Sequence, residues 1–255
     1  MEIKKIHQWS ILSFDEIDST NIKAMQMLQS ENLHRFVISA TIQLGGKGRH
    51  SRNWISPKGN SYSTYILAPA PNAPWNNPND AALLGMLTAV AVGETLQEFG
   101  VPKNDIFYKW PNDILIDQHK IAGILPELCL SMKNHIKAVI VGVGVNLSSS
   151  PKGLDRKILS VKEKYNITIE TNEYLNLYLK KLSELLNIWI NDGFNPILSK
   201  WSQNSHVIGE ELIIKLPHKE YMAYFYRFSE TGCLEVRTSY GEIQSVRAGE
   251  IFFAE

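Results

Sequence analysis

Between Ile106 and Val145 the chain places four apolar, β-branched runs, IFYKW, ILID, KIAGIL and KAVIVGVGV, almost end to end. Only short turns and one polar stretch separate them. These runs read as strands in quick succession. Upstream, FVISATIQ and SYSTYIL read as two further strands, and helical patterns lie on either side of the cluster. Strands grouped this way, without regular βαβ alternation, predict an α+β fold.

The helices are legible by period. DSTNIKAMQMLQS offers capping residues and then Ile22, Met25 and Leu28 at helical spacing, so a helix starts near Ser19 or Thr20. PNDAALLGMLTAVAVGETLQEFGVP reads as one nearly buried helix, capped by Asp80 and ended by Gly100. TNEYLNLYLKKLSELLNIWINDGF lines up Leu175, Tyr178, Leu182, Leu185 and Trp189 on one face, and Gly193 stops it. After about Asn204 the texture changes to short strands and turns, EELIIKL, EYMAYFYRF, CLEVRT and EIQSVRAGEI, which predict a small closed barrel. The expected division is a main domain over 1–204 and a barrel over 205–255.

Composition narrows the partners. Lys plus Arg and Asp plus Glu number 26 each, so no overall field draws the chain to nucleic acid or an acidic membrane. Cys129 and Cys233 form no metal-binding spacing, and neither a signal-peptide core nor a membrane-spanning run is present. The expectation is a reduced, soluble, cytoplasmic protein.

Against that neutral background, GGKGRHSRNWISPKGN at 45–60 carries Lys47, Arg49, Arg52 and Lys58 with His50 and no acid. Gly45, Gly46 and Gly48 allow backbone N–H groups to converge on an anion such as phosphate, unless the segment is only a solvated hairpin. It is not a Walker loop, because no Gly-Lys-Ser/Thr and no helix follow. In YKWPNDILI the Pro-Asn-Asp turn serves a hairpin, or offers Asn112 and Asp113 to a ligand or magnesium. Lys120 either snorkels from a strand edge or enters a site. Gly142 and Gly144, in VIVGVGVNL, reflect core packing unless something must approach the strand closely.

Taken in order, STN, Gln43 with GGKGRHSRNW and SPKGN, KWPND, KIAGIL and GVGVN resemble the catalytic core of the biotin protein ligases, from about Asp18 to Asn146. The resemblance implies a mixed sheet flanked by helices, akin to lipoate ligases, followed by an SH3-like barrel. It implies ATP-dependent transfer of biotin, through biotinyl-5′-AMP, to a lysine of a biotin carboxyl carrier protein, with Mg2+ accompanying ATP.

The site residues carry over with it. Ser19, Thr20, Asn21, Gln43, Lys47, Gly48, Arg49 and Lys120 are expected at biotin. Gly46, Lys47, Arg49, Arg52, Trp54, Asn112 and Asn146 are expected at the nucleotide, and Asp113 at magnesium. Lys120 and Arg49 carry the catalytic electrostatics, and the loop orders over the adenylate. The family pattern GRGRRGRxW is broken here: Lys47 and His50 replace Arg, and Ser51 replaces Gly. Two other readings are weighed. A lipoate or octanoate ligase has a different Arg-rich, SGGG-type segment; a DNA-binding biotin sensor needs a helix-turn-helix, for which the 18 residues before Ser19 are too few. The reading therefore includes no DNA and no membrane partner, and leaves a homodimer open.

Overall fold

The computed structural model describes residues 2–131, 135–153 and 157–253. An eight-stranded sheet is built from β1 (Ile3–Ile6), β2 (Trp9–Ile17), β3 (Phe36–Gln43), β4 (Ser61–Leu67), β5 (Phe107–Lys109), β6 (Asp113–Ile116), β7 (His119–Leu130) and β8 (Ile136–Val145). Its order is β1-β2-β3-β4-β8-β7-β6-β5, and only the β2–β3 pair is parallel. That one parallel step is made by α1 (Thr20–Ser30), a crossover of the length such a connection needs. The residues ahead of Ser19, given no structure from sequence, form the β1–β2 ladder at the sheet edge.

β8 shows why the sheet has two different faces. Val139, Val141, Val143 and Val145 join the large core with α3 (Leu83–Glu98) and α5 (Thr171–Asp192), which pack on each other. Ala138 and Ile140 point the other way, into a smaller core with Ala24 and Leu28 of α1. α3 is buried on nearly every side because the sheet, α5 and α6 (Asn195–Gln203) enclose it.

The long buried segment expected as a single helix is two. α2 (Pro78–Ala81) precedes α3, and Asn77, not Asp80, caps it: Asn79 N–H donates to Asn77 Oδ1 at 3.0 Å. Pro78 at the first helical position explains the shift, since its fixed φ suits N1 and the preceding residue becomes the cap. Gly100 and Gly193 end their helices with φ of 95° and 80°, as expected. α4 (Val161–Tyr165) is a single capped turn that the sequence reading passed over, with Ser160 and Glu163 forming a capping box.

Beyond α6 a five-stranded antiparallel sheet contains β9 (Glu211–Leu216), β10 (Lys219–Phe228), β11 (Leu234–Arg237), β12 (Ile243–Val246) and β13 (Glu250–Phe253), in the order β12-β11-β10-β9-β13. The stretch EIQSVRAGEI, expected as one strand, is split into β12 and β13 around Gly249, whose φ is 155°. The ladder does not close between β12 and β13 among the described residues. Leu212, Ile214 and Phe225 of this sheet belong to the large core, and Trp110 Nε1 donates to Gly232 O at 3.0 Å. No helix among the described residues is long and apolar enough to cross a membrane.

Candidate active site

On the α1 face, the row that begins with Ala138 and Ile140 continues as Gly142 and Gly144, and Gly123 lies beside Gly144 in register on β7. Loss of side chains at three neighbouring positions opens a trough in the sheet. The expectation that Gly142 and Gly144 serve core packing fails, because polar and aromatic side chains descend onto them. A Cβ at 142 would lie 2.3 Å from Asn21 Oδ1, and one at 144 would lie 2.5 Å from Trp54 Cε2. A Cβ at 123 would meet Trp54 at 2.9 Å and Lys120 Nζ at 3.0 Å. All four separations are below ordinary contact, so only glycine allows these side chains to lie there.

The N-terminus of α1 brings one end of the site together. Ser19 caps the helix by accepting from Ile22 N–H at 3.5 Å, which fixes Thr20 and Asn21 in its first turn over the sheet. Thr20 donates twice to Gln43 Oε1, from its backbone N–H at 2.9 Å and its hydroxyl at 3.0 Å. Gln43 Nε2 donates to Ser56 Oγ at 3.0 Å. Ser19, Thr20 and Asn21 are all buried, so this is an interior polar cluster and its groups are held in fixed orientations.

The basic loop is a small, closed hairpin. Lys47 bridges Asn53, Gly48 N–H donates to Arg52 O at 2.8 Å, and Trp54 N–H donates to Gly46 O at 2.8 Å. Gly45 N–H donates to Asp18 O at 2.8 Å. The proposed nest of glycine N–H groups is therefore corrected: those of Gly45 and Gly48 are already used inside the protein. Gly46 is required for space instead, since a Cβ there would lie 2.4 Å from Trp54 O. The tip turns through left-handed residues, His50 at φ 54° and Ser51 at φ 58°. Ser51 thus stands in a conformation glycine adopts more readily, at the position where the family pattern has glycine.

The loop's cations divide. Arg49 turns inward: Nη1 donates to Gly249 O at 3.0 Å and lies 3.4 Å from Asn112 Oδ1. Burial pulls its guanidinium below the ordinary value, opposed by the carboxylates of Asp113 and Glu250. Arg52 turns outward, forming a two-pronged pair with Glu250 at 2.5 and 2.7 Å, and that hydrogen bond raises its pKa. The Lys47 side chain is exposed at the rim.

Lys120 lies at the centre. Its Nζ is 2.6 Å from Asp113 Oδ1 and 5.2 Å from the Trp54 ring centroid, with 18% of the side chain exposed. It is no snorkelling edge lysine. The Pro-Asn-Asp turn is both a hairpin and a site element: Trp110–Pro111 is cis, β5 pairs with β6, and Asn112 Nδ2 donates to Ile124 O at 2.5 Å. Asn146 is buried at the end of β8, where its Nδ2 donates to Leu159 O at 3.2 Å. Two buried atoms here have no partner among the described residues, the acceptor Asn146 Oδ1 and the donor Trp54 Nε1. Unpaired buried polar atoms are uncommon, and a pair of opposite sense in one trough suits a ligand with both donors and acceptors.

The residues foreseen from sequence are therefore brought around one trough, with Arg52 and Lys47 at its rim. Several others were missed: Ser56, Thr64, Gly123, Glu127 and Glu250. Thr64 was readable as an inward hydroxyl in SYSTYIL; Glu250, almost 200 positions from the loop, carried no local signal. Among the described residues no three His, Cys, Asp or Glu side chains gather as a metal cluster, and Asp113, expected at magnesium, is paired with Lys120 at 2.6 Å. One carboxylate fits magnesium, which takes most of its ligands from water and phosphate.

Comparison with known proteins gives this arrangement a lineage. Residues 13–146 match the model of the biotin/lipoate A/B protein ligase family. The biotin–[acetyl-CoA-carboxylase] ligase of Paracoccus denitrificans is 31% identical over 242 residues, spanning 92% of this chain and 97% of the relative. The bifunctional ligase/repressor BirA of Bacillus subtilis strain 168 is 26% identical over 246 residues, spanning 94% of this chain and 73% of the relative. The solved structure of biotin protein ligase from Aquifex aeolicus in complex with biotin and ATP superposes with a TM-score of 0.79 at 25% identity, covering 96% of this chain and 98% of that one. The family match covers more than half of the residues and the Paracoccus relative is 31% identical over nearly its whole length, so the chain belongs to the biotin/lipoate A/B protein ligase family.

Proposed function

We propose that the protein joins biotin to a lysine of a carboxylase's biotin carboxyl carrier protein, using ATP. The observation that carries this reading is the position of Lys120, a cation placed over the glycine trough between the buried polar cluster of α1 and the unpaired Asn146 Oδ1 and Trp54 Nε1.

Biotin enters with its ureido head toward Thr20 and Gln43, and its carboxylate reaches Lys120. The nucleotide base takes the other end, where Asn146 Oδ1 accepts and Trp54 offers an apolar ring. A carboxylate oxygen attacks the α-phosphorus, the bond to the bridging oxygen breaks, and pyrophosphate leaves. Bringing an anion to a polyanion is the difficulty, and Lys120 and Arg49 oppose it with fixed charge in a water-poor site. The target lysine amine then attacks the acyl carbon, AMP departs, and the amide forms with loss of a proton. Asp113 would hold magnesium, which when bound neutralises phosphate charge.

Trp54 and the hairpin exclude water from the mixed anhydride until the acceptor arrives. A lipoate or octanoate ligase is the second reading within the family; the polar cluster at α1 favours a head group with hydrogen-bonding atoms over an aliphatic chain. Pyrophosphate exchange into ATP, with biotin, lipoate and octanoate supplied separately, tests both. Exchange with biotin alone is expected. None with biotin, or exchange driven by an aliphatic acid, overturns the proposal.

A further inference from the structure

We propose that Glu127 is a positioning residue for the acid pocket, acting through Asn21 and Thr64 to set which atoms of that pocket donate and which accept. The inference rests on the reading of Thr20 and Gln43 as the biotin pocket.

Glu127 lies on β7, half-buried, and accepts from Asn21 Nδ2 at 2.6 Å. A carboxylate only accepts, so the Asn21 amide has one allowed orientation: nitrogen toward Glu127, oxygen toward Thr64. The flipped amide would set oxygen against oxygen. Thr64, fully buried on β4, has a single hydroxyl hydrogen, shared between Asn21 Oδ1 at 2.5 Å and Thr20 Oγ1 at 2.8 Å. The closer Asn21 oxygen draws that hydrogen away from Thr20.

Thr20 Oγ1 directs its own hydrogen to Gln43 Oε1, which also receives the Thr20 N–H. Two consequences follow at the pocket. Thr20 Oγ1 keeps acceptor capacity, and Gln43 keeps its amide nitrogen turned outward with one N–H beyond that given to Ser56. A cyclic urea, with N–H donors flanking a carbonyl acceptor, matches that polarity. Without Glu127 the Asn21 amide is free to flip, the Thr64 hydrogen passes to Thr20, and the acceptor is lost.

The test uses the full-length protein in the pyrophosphate-exchange assay. Glu127→Ala is expected to raise the KM for biotin about tenfold, the size of one hydrogen bond lost inside a site, while the KM for ATP stays within about twofold. Glu127→Gln, which still presents an accepting oxygen, is expected to restore most of the affinity. Thr64→Val removes the hydrogen that would pass to Thr20, so adding it to Glu127→Ala is expected to recover part of the lost biotin affinity. If Glu127→Ala does not fold, Glu127→Met, which keeps the side-chain volume but offers no accepting oxygen to Asn21, carries the test by its biotin-to-ATP KM contrast. An unchanged biotin KM in folded Glu127→Ala or Glu127→Met, or equal rises for both substrates, overturns the inference. Absence of biotin-dependent exchange in the unaltered protein would instead overturn the reading of the pocket itself.

Discussion

Lys120 shows how one side chain can be fixed by its neighbours on several sides. Its ammonium has Asp113 on one side, the Trp54 ring above and bare Gly123 backbone beneath, and it faces the trough rather than solvent. Lys120→Ala is expected to slow single-turnover adenylation about 10²–10³-fold, the usual loss for a preorganised charge at a reacting phosphate. Circular dichroism and thermal unfolding should show the fold intact, because the side chain contributes no part of either hydrophobic core. Unchanged adenylation would remove Lys120 from the chemistry. The loop's departures from its family pattern also resolve at this scale. Lys47 is at the exposed rim, where losing an arginine fork matters less; His50 lies 3.8 Å from Glu250; His50 and Ser51 are both left-handed, but only Ser51 stands where the family pattern has the glycine that adopts this conformation readily.

Among elements, the strands and long helices were legible because period and punctuation agree: β3 and β4 coincide with FVISATIQ and SYSTYIL, and α5 with its apolar stripe ended by Gly193. The motifs STN, KWPND and KIAGIL supply residues that the fold brings to one trough. What the sequence withheld depended on contacts far apart in the chain. Whether a glycine in β8 is filled by core or crossed by Trp54 is decided 90 residues upstream, and no local pattern records it. Gly144→Ala tests that packing. Its new methyl would occupy the place of the indole, and the loop side chain gives way more easily than a buried central strand. The KM for ATP is expected to rise about tenfold while the unfolding temperature moves little. An unaltered KM would mean that Trp54 does not define the nucleotide end.

For the whole molecule, the decisive relation is between the basic hairpin and the C-terminal sheet. Arg49 reaches Gly249 O, and Arg52 and His50 meet Glu250, so the cover over the site is tied to the start of β13. With the Arg52 side chain 41% exposed, such a pair contributes roughly 0–1 kcal/mol to global stability. Its effect is expected on the loop instead. Glu250→Ala should leave the unfolding transition nearly in place, while limited proteolysis cuts within 45–60 faster and bound adenylate hydrolyses sooner; equal cleavage of both proteins would show that the tie does not hold the cover. The glycine floor also limits how this enzyme can change. Positions 123, 142 and 144 already stand at the smallest volume a residue can have, so every mutation there narrows the trough. Any drift toward a bulkier acid must begin in the roof, at Trp54, Asn21 or Gln43, and selection for new substrates would leave its marks on the loop and α1 while the floor stays constant.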